Sequence, residues 1–505
     1  MKCFHPDGVY VWDTWYCAWD DEVHCTFLQH SRPERADLSD EINGTLGHAV
    51  SRDLLHWENR PAILRKGPKG SHDEGDLWTG CSVRRDGKTY LYYTGNRFIE
   101  GGMSETVCLA VSDDGQNYVK HPFPLFGPDG RYYVNEENVP AVNRHGGKLI
   151  DCRDMCVVRD PGGDGWWGYF AARTPTENAS RSSVIGLAYS HDMITWEQRP
   201  PCFAPGRYAT VEVPEVFFLD GKWYMLCLTG NLYGQRSNTG QPDWVVSTIQ
   251  AVAERPEGPF REIRGAEVLG SYRWEGFSAK TVEYHGRRYM FYTQGETCEG
   301  CGHGSVSLPS ELKVIDGRLV PCWCAPLDKI IGEEVVGEKT PFENFNRGCF
   351  GTVGSWSRDD SGIITGNVEC DWSQFLWDEP LDDCFFSADV KTGTASSAGI
   401  VIRASGENAR GGAYVTLLDP ERQEMLLYST VERDFKLIAR KKTSVDRDRF
   451  YNIKLLTCGK VICVYLDDAL TLQLYDNAVS HGRCGLFAEN GTAKFKNVII
   501  CRTND

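Results

Sequence analysis

The sequence predicts an all-β protein of two domains, a five-bladed β-propeller followed by a β-sandwich. Two patterns carry this. Runs of alternating or aromatic-rich residues, separated by Asp-Gly, Gly-Lys and Asn-Gly turns, fill the chain without a sustained helical period. In addition, a unit of about 65 residues recurs five times before the pattern changes. Length agrees: 505 residues exceed what one hydrophobic core serves. A chain of that size buries roughly 75% of its unfolded surface and needs no covalent staples.

The recurring strand is seen at 23–29, 88–94, 166–172, 222–228 and 287–293. Each follows, 11 to 13 residues on, the start of a charged or aromatic segment: 11–16, 76–80, 153–154, 211–214 and 276–280. Three units add Ser-x-Asp, at Ser51-Arg52-Asp53, Ser112-Asp113-Asp114 and Ser190-His191-Asp192, closed by Trp57, Tyr118 and Trp196. Such Ser and Asp side chains can cap turn N–H groups. In a propeller the first strand of each blade lines the central channel, so Asp13, Trp78, Asp154, Glu212 and Phe277 are expected to face one funnel. The propeller is assigned to 1–325. A short helical or extended linker is expected at 326–341. A sandwich is expected at 342–505, where 385–390, 398–403 and 460–466 alternate without the repeat.

A net charge of −16 argues against nucleic acid or an anionic membrane as partner. Aromatics at 12% suit sugar faces, and strand-rich folds favour them as well. The start of the chain shows no apolar leader and no segment could span a bilayer, so a soluble, cytoplasmic protein is expected. The 20 cysteines are scattered, many within apolar strands, which suits reduced, buried thiols. Cys298, Cys301, Cys322 and Cys324 have the spacing of a four-thiolate zinc site, against which stands the plainer reading of reduced thiols.

Glycoside cleavage needs paired carboxylates in different environments. Glu212 lies in the apolar run Thr210-Val211-Glu212-Val213-Pro214, where burial would raise its pKa and suit it to be the acid. Asp13, flanked by Trp12 and Trp15, is the candidate nucleophile. Asp154, next to Arg153, would be held ionised and bind sugar hydroxyls. Carboxylates are common, and on this pattern alone a sugar-binding propeller without catalysis is an equal alternative.

The motifs resemble glycoside hydrolase family 32, the invertases, inulinases and levanases. That family's Trp-Met-Asn-Asp-Pro-Asn-Gly and following strand are matched by 11–29, with Asp13 on its nucleophile and Gln29 on its Gln. Residues 47–57 resemble Gly-His-Ala-x-Ser-x-Asp-Leu-x-x-Trp. Trp78-Thr79-Gly80 resembles Trp/Phe-Ser-Gly, and Arg153-Asp154-Met155 resembles Arg-Asp-Pro with its transition-state-stabilising Asp. Glu212-Val213-Pro214-Glu215 resembles Glu-Cys-Pro-Asp, the acid/base. Phe277-Ser278-Ala279-Lys280-Thr281 and 307–312 resemble later signatures, and a C-terminal sandwich also belongs to that family.

The departures lie in the sugar pocket. Trp12 stands for Asn, Thr14-Trp15-Tyr16 for Pro-Asn-Gly, Leu46 for Trp, Met155 for Pro and Val213 for Cys. The resemblance implies a retaining hydrolase of β-fructofuranosides or a related furanoside in small oligosaccharides or disaccharides. Asp13, Asp154 and Glu212 would be catalytic, with no metal or organic cofactor. Candidate substrate contacts are Trp12, Trp15, Gln29, His30, Trp78, Thr79, Arg153 and Glu275; His48 reads as structural. A non-catalytic sugar-binding propeller, or a hydrolase or transferase for another sugar, remain as alternatives. The sandwich reads as a buttress before a carbohydrate-binding module.

Overall fold

A computed structural model describes residues 3–504 apart from 101, 140–147, 149, 177–180, 209, 231–245, 272–275, 296–303, 348–352, 406–411 and 432–434. The chain is nearly all β and divides into two compact units, Phe4–Val320 and Pro321–Asp505, the latter joined by Met1–Cys3. The first unit is a succession of antiparallel meanders. β1 (Val9–Trp19), β2 (Glu22–Ser31), β3 (Thr45–Ser51) and β4 (Glu58–Arg65) pair in order. β5 (Asp76–Arg85), β6 (Lys88–Ile99), β7 (Gly102–Ser112) and β8 (Val119–Lys120) form a separate four-stranded sheet. So do β9 (Cys152–Arg159), β10 (Trp166–Arg173), β11 (Ser183–Ser190) and β12 (Glu197–Phe203). A third such sheet is β13 (Glu212–Leu219), β14 (Lys222–Gly230), β15 (Val246–Ala253) and β16 (Arg261–Ser271). The last meander pairs β17 (Phe277–Tyr284) with β18 (Arg287–Gly295), and both β19 (Gly304–Val306) and β20 (Ser310–Ile315) pair with β18.

The turns follow from the residues that make them. Asp86-Gly87, Asp220-Gly221 and His285-Gly286 all have positive φ at both positions, the geometry that a two-residue hairpin requires to match strand twist. The Ser-x-Asp motifs close turns as their chemistry predicts. Ser51, Ser112 and Ser190 accept N–H bonds from the residues two and three further on. Asp53, Asp114 and Asp192 accept two more backbone N–H bonds each.

Successive sheets pack face to face. Trp15, Leu28 and Leu46 meet Leu77, Leu91 and Tyr93. Tyr92 and Leu109 meet Phe170 and Val184, Tyr169 and Leu187 meet Met225 and Ile249, and Tyr224 and Leu226 meet Met290 and Tyr292. Phe291 returns to the first meander, its ring 4.7 Å from Tyr16 and 5.7 Å from Trp57. The first strands follow one another around the unit, β1 beside β5, β5 beside β9, β9 beside β13, β13 beside β17, and β17 beside β1.

Each first strand carries a β-bulge against its neighbour. The register shifts between Val11 and Thr14, Trp78 and Cys81, Glu212 and Glu215, Phe277 and Lys280, and in β9 between Arg153 and Cys156. A bulge leaves an extra residue unpaired and bends the strand, re-aiming its side chains. Asp154, Val213 and Ser278 have φ of 60°, 52° and 51°, a conformation that costs a non-glycine residue about 1–3 kcal/mol. In β5 the bulge needs a glycine, because a Cβ on Gly80 would stand 1.9 Å from the Tyr92 carbonyl oxygen.

The second unit is organised by the long strand Arg483–Thr503. It pairs with Ile364–Trp377, Cys384–Lys391, Ser397–Ala404 and Ile331–Val336. Its core includes Trp356, Phe375, Phe386, Ile400, Tyr414, Leu455 and Phe495. The stretch expected to be a linker is corrected here. Residues 326–341 hold most of a one-turn helix, Ala325–Asp328, and the strand Ile331–Val336, whose pairing makes it part of the second unit. Trp372, Tyr428, Phe435 and Phe487 also form an aromatic cluster that no sequence run of this unit announces. The described cysteines are free thiols, Cys322 and Cys324 among them and buried; Cys298 and Cys301 lie outside the described residues. No described helix is long and apolar enough to cross a membrane.

Gly80→Ala is expected to force the β5 bulge open and destabilise the protein by about 1–3 kcal/mol. Chemical denaturation compared with the wild type would check this, and an unchanged midpoint would contradict the close approach.

Candidate active site

The five bulges empty onto one cavity of about 320 Å³. β1 supplies Trp12 and Asp13, β5 Asp76, Leu77, Trp78 and Thr79, β9 Arg153 and Asp154, β13 Glu212 and Val213, and β17 Phe277. Leu28, Gln29 and His30 of β2 and Thr45 of β3 complete the wall. In β1, β9 and β13 two adjacent residues line it. A regular strand sends neighbours to opposite faces, and the bulge at each of these places turns both to one side.

Asp13 sits deepest in chemical terms. Thr79 Oγ1 donates to its Oδ2, and Ser278 Oγ donates to its Oδ1 at 2.5 Å. Burial pushes its pKa up to about 6; the two hydroxyls favour the anion and hold it down, while the charge of Glu212 pushes it further up and Lys280 pulls it down. Asp154 Oδ2 accepts the Val213 N–H at 3.0 Å, and the Asp154 N–H donates to Thr94 Oγ1 at 2.9 Å. Thr94 in turn donates to the Thr79 carbonyl at 2.9 Å. On the other side Lys280, itself buried, donates to the Pro214 carbonyl at 2.7 Å and lies 3.5 Å from Glu215. These bonds link the first strands in a circuit from β1 through β5, β9, β13 and β17 back to Asp13.

Arg153 is shared. Its guanidinium lies 3.1 Å from Glu105, 3.0 Å from Asp151, 3.4 Å from Asp154 and 2.8 Å from Glu212. Arg173 takes the other side of Asp151 at 2.7 Å. Two guanidinium groups thus face five acids, Glu105, Asp151, Asp154, Glu212 and Asp13, in a space closed to most solvent. Burial raises Glu105 above the usual carboxylate range against the pull of Arg153. Asp151 is held low despite burial, because both Arg153 and Arg173 favour its anion.

The surroundings of Asp154 and Glu212 differ from what their sequence neighbours suggest. Burial pushes the Asp154 pKa well up against the pull of Arg153, whose charge is divided among four acids, and the charges of Glu212 and Asp13 add to the rise. Glu212 is not enclosed by apolar side chains. Its side chain is 23% exposed and is met by Arg153, because the bulge at 213–214 turns it out of the apolar run and into the cavity.

Of the expected substrate contacts, Trp12, Gln29, His30, Trp78, Thr79 and Arg153 line the cavity. Trp15 does not. It is 1% exposed, packs on Leu46 and Leu77, and donates from its indole to Ser82 at 3.2 Å. Glu275 lies outside the described residues. Gln29 donates to Thr45 Oγ1 at 2.8 Å, and the His30 ring lies 5.7 Å from Trp12. His48 is buried between Gln116 and His24 at 3.0 Å each, a structural histidine whose pKa burial lowers to about 4. Not singled out from the sequence as site residues were Ser278 and Glu105, which act on Asp13 and Arg153, and the wall residue Asp76. No group of metal-ligand side chains occurs among the described residues.

A raised Asp13 pKa carries a stability cost with a definite sign. The folded state binds the Asp13 proton more tightly than the unfolded one, whose value is 3.8. Stability associated with that proton is therefore full below pH 3.8 and is lost as pH rises through about 6. Asp13→Asn is expected to stabilise the protein by up to about 3 kcal/mol at pH 7.5 and by nothing below pH 4. Denaturation curves at the two pH values check it; equal effects at both would contradict the raised pKa.

Comparison with known proteins places these features. Residues 19–263 match the family described as Glycosyl hydrolases family 32 N-terminal domain, a stretch that holds Asp154 and Glu212 and begins after Asp13. Sucrose-6-phosphate hydrolase of Zymomonas mobilis is 23% identical over 389 residues, 73% of this chain and 66% of that protein. Sucrose-6-phosphate hydrolase of Bacillus subtilis is 34% identical over 182 residues, 35% of this chain and 33% of that protein. The chain thus spans less than two thirds of the length of these curated relatives, 66% of the first and 33% of the second. Among solved structures, sucrose-6-phosphate hydrolase from Lactobacillus gasseri superposes with a TM-score of 0.68 at 12% identity, covering 100% of this chain and 92% of that one, a likeness of fold.

Proposed function

The chain belongs to glycosyl hydrolases family 32, and from that premise we propose that it is a retaining glycoside hydrolase of β-fructofuranosides or a related furanoside in small oligosaccharides or disaccharides. One observation carries the reading: three carboxylates, Asp13, Asp154 and Glu212, arrive in one cavity from three different first strands, each with different hydrogen-bond partners. We infer that the meanders of the first unit are the blades of a five-bladed propeller around that cavity, and that the second unit is a β-sandwich. The unbroken circuit of first-strand contacts supports the blades, and the two-sided use of Arg483–Thr503 supports the sandwich. The free, mostly buried thiols suit a cytoplasmic setting.

In the proposed mechanism Asp13 attacks the anomeric carbon while Glu212 gives its proton to the departing glycosidic oxygen. A glycosyl ester forms on Asp13 and the leaving sugar departs as an alcohol. Glu212 then takes a proton from water, the oxygen of which attacks the anomeric carbon and expels Asp13. The hydroxyls of Thr79 and Ser278 fix the Asp13 carboxylate beforehand, so little reorganisation is needed on attack. Esterification removes the Asp13 charge, a charge that raises the Asp154 pKa alongside burial and Glu212. Asp154 then ionises more readily just when positive charge builds on the sugar ring. Arg153, touching both Asp154 and Glu212, ties the two together.

The relatives' names make sucrose 6-phosphate a substrate to try, with sucrose, inulin- and levan-type oligosaccharides and arabinofuranosides beside it. Asp13→Ala and Glu212→Ala are each expected to lower kcat by about a thousand-fold or more. Product release equal to the wild type would remove the enzyme assignment and leave a sugar-binding propeller. Carbon-13 NMR of the furanose freed from the Asp13 ester, read before it mutarotates, should show the substrate's anomeric configuration; the inverted anomer would replace nucleophilic attack by Asp13 with general-base activation of water. The acid limb of kcat/KM is expected near pH 6, activity falling as Asp13 takes up its proton.

A further inference from the structure

We infer that this cavity takes an uncharged glycoside and rejects phosphate esters of the same sugar, with Asp76 as a specificity-determining carboxylate in its wall. This rests on the glycoside reading above and narrows the substrate class within it.

Among the described residues, the charges that line the cavity are Asp13, Asp76, Asp154 and Glu212 against Arg153, four carboxylates to one guanidinium. That guanidinium is also committed, with carboxylate oxygens at 2.8 to 3.4 Å from Glu212, Asp151, Glu105 and Asp154. Turning it toward a phosphate would strip buried acids of their counter-charge, which costs far more than a surface ion pair returns. Lys280 and Arg173, the nearest other buried cations, are spoken for by Pro214, Glu215 and Asp151.

Asp76 differs from the other three carboxylates. It has no cationic partner among the described residues, and its Oδ1 accepts only the neighbouring Leu77 N–H, at 2.9 Å. A carboxylate in that state has free lone pairs for sugar hydroxyls and repels an anion. A phosphate monoester brings about −1.5 to −2 charges at pH 7. Set among Trp12, Trp78 and Phe277, whose rings suit the apolar face of a sugar, those charges would be desolvated without compensation. His30, its ring tilted against Trp12, is the other titratable side chain of the described wall.

The test measures kcat/KM for sucrose and for sucrose 6-phosphate with the wild type and with Asp76→Asn, at low and at about 0.5 M salt. In parallel, titration calorimetry measures binding of fructose and fructose 6-phosphate. Sucrose is expected to be favoured about ten-fold or more, with fructose bound and its phosphate not. The preference should shrink at least about three-fold in Asp76→Asn and at high salt, since both weaken like-charge repulsion. Equal or better turnover or binding of the phosphorylated sugar overturns the inference and leaves the glycoside reading standing. An unchanged ratio in Asp76→Asn removes that residue's role. Failure of the wild type to cleave or bind either neutral sugar overturns this inference and the fructoside reading together.

Discussion

The first-strand bulge is the constraint on which the rest depends. Without it a strand lining a cavity offers every second residue, and Asp13 could face the cavity only by turning Trp12 away. With it, Trp12 and Asp13, Trp78 and Thr79, Arg153 and Asp154, and Glu212 and Val213 reach the same space. The bulges also free backbone and side-chain groups to bond across meanders rather than within them. Val213 N–H reaches Asp154, Ser278 reaches Asp13, and Lys280 reaches the Pro214 carbonyl. The strained backbone at Asp154, Val213 and Ser278 therefore lies where those cross-meander bonds are made, and they are what hold it.

Charge is the second consequence. Bringing strand after strand to one centre gathers acids faster than bases, and burial then makes it unfavourable for all of them to ionise together. The arrangement divides labour. Asp151 keeps its charge between two guanidinium groups, Glu105 is raised by burial, and Asp13 is balanced near 6 by two hydroxyls and one lysine against burial and Glu212. Arg153 is the hub because it alone touches both the lining acids and the acids behind them. A change in the charge of any one acid, including loss of charge on Asp13, is felt by the others through that shared guanidinium.

Much of this was legible in the residues. Alternation and paired Asp-Gly turns defined the strands and their meanders, since both are local. The recurrence of a charged or aromatic segment ahead of each second strand placed Asp13, Trp78, Asp154, Glu212 and Phe277 together before any geometry was known, and all five line the cavity. What could not be read was the bulge. It leaves no residue signature at Val11–Thr14, so Trp12 and Trp15 looked equivalent around Asp13, whereas one lines the cavity and the other packs on Leu46 and Leu77. The same slip hid the exposure of Glu212, which sits in an apolar run yet points at Arg153. The surroundings of Asp154 were hidden for another reason: its sequence neighbour Arg153 has three other acids in contact, brought from β7, β13 and the residue before β9. A pairwise reading of sequence cannot see such competition. The stretch 326–341 reads locally as a helical or extended linker, because its strand pairs with Arg483–Thr503, far along the chain.

The tryptophans give the departures from the family motif a physical meaning. Where the family keeps Asn ahead of the nucleophile, Trp12 supplies an aromatic wall and a surface for His30. Where it keeps a small turn, Thr14-Trp15-Tyr16 continues β1 as a regular strand: Trp15 enters the core, and Tyr16 donates to Thr14 at 2.9 Å and packs on Phe291. Tyr16 thus joins the first meander to the last and Trp15 joins it to the second, while Trp12 places a ring at the cavity. A wall of rings and carboxylates gives a sugar a surface for its apolar face and acceptors for its hydroxyl protons. On the proposed reading, the three carboxylates assigned to catalysis and the rings around them suit the same kind of ligand, a neutral polyol, so the chemistry that builds the site also narrows what enters it.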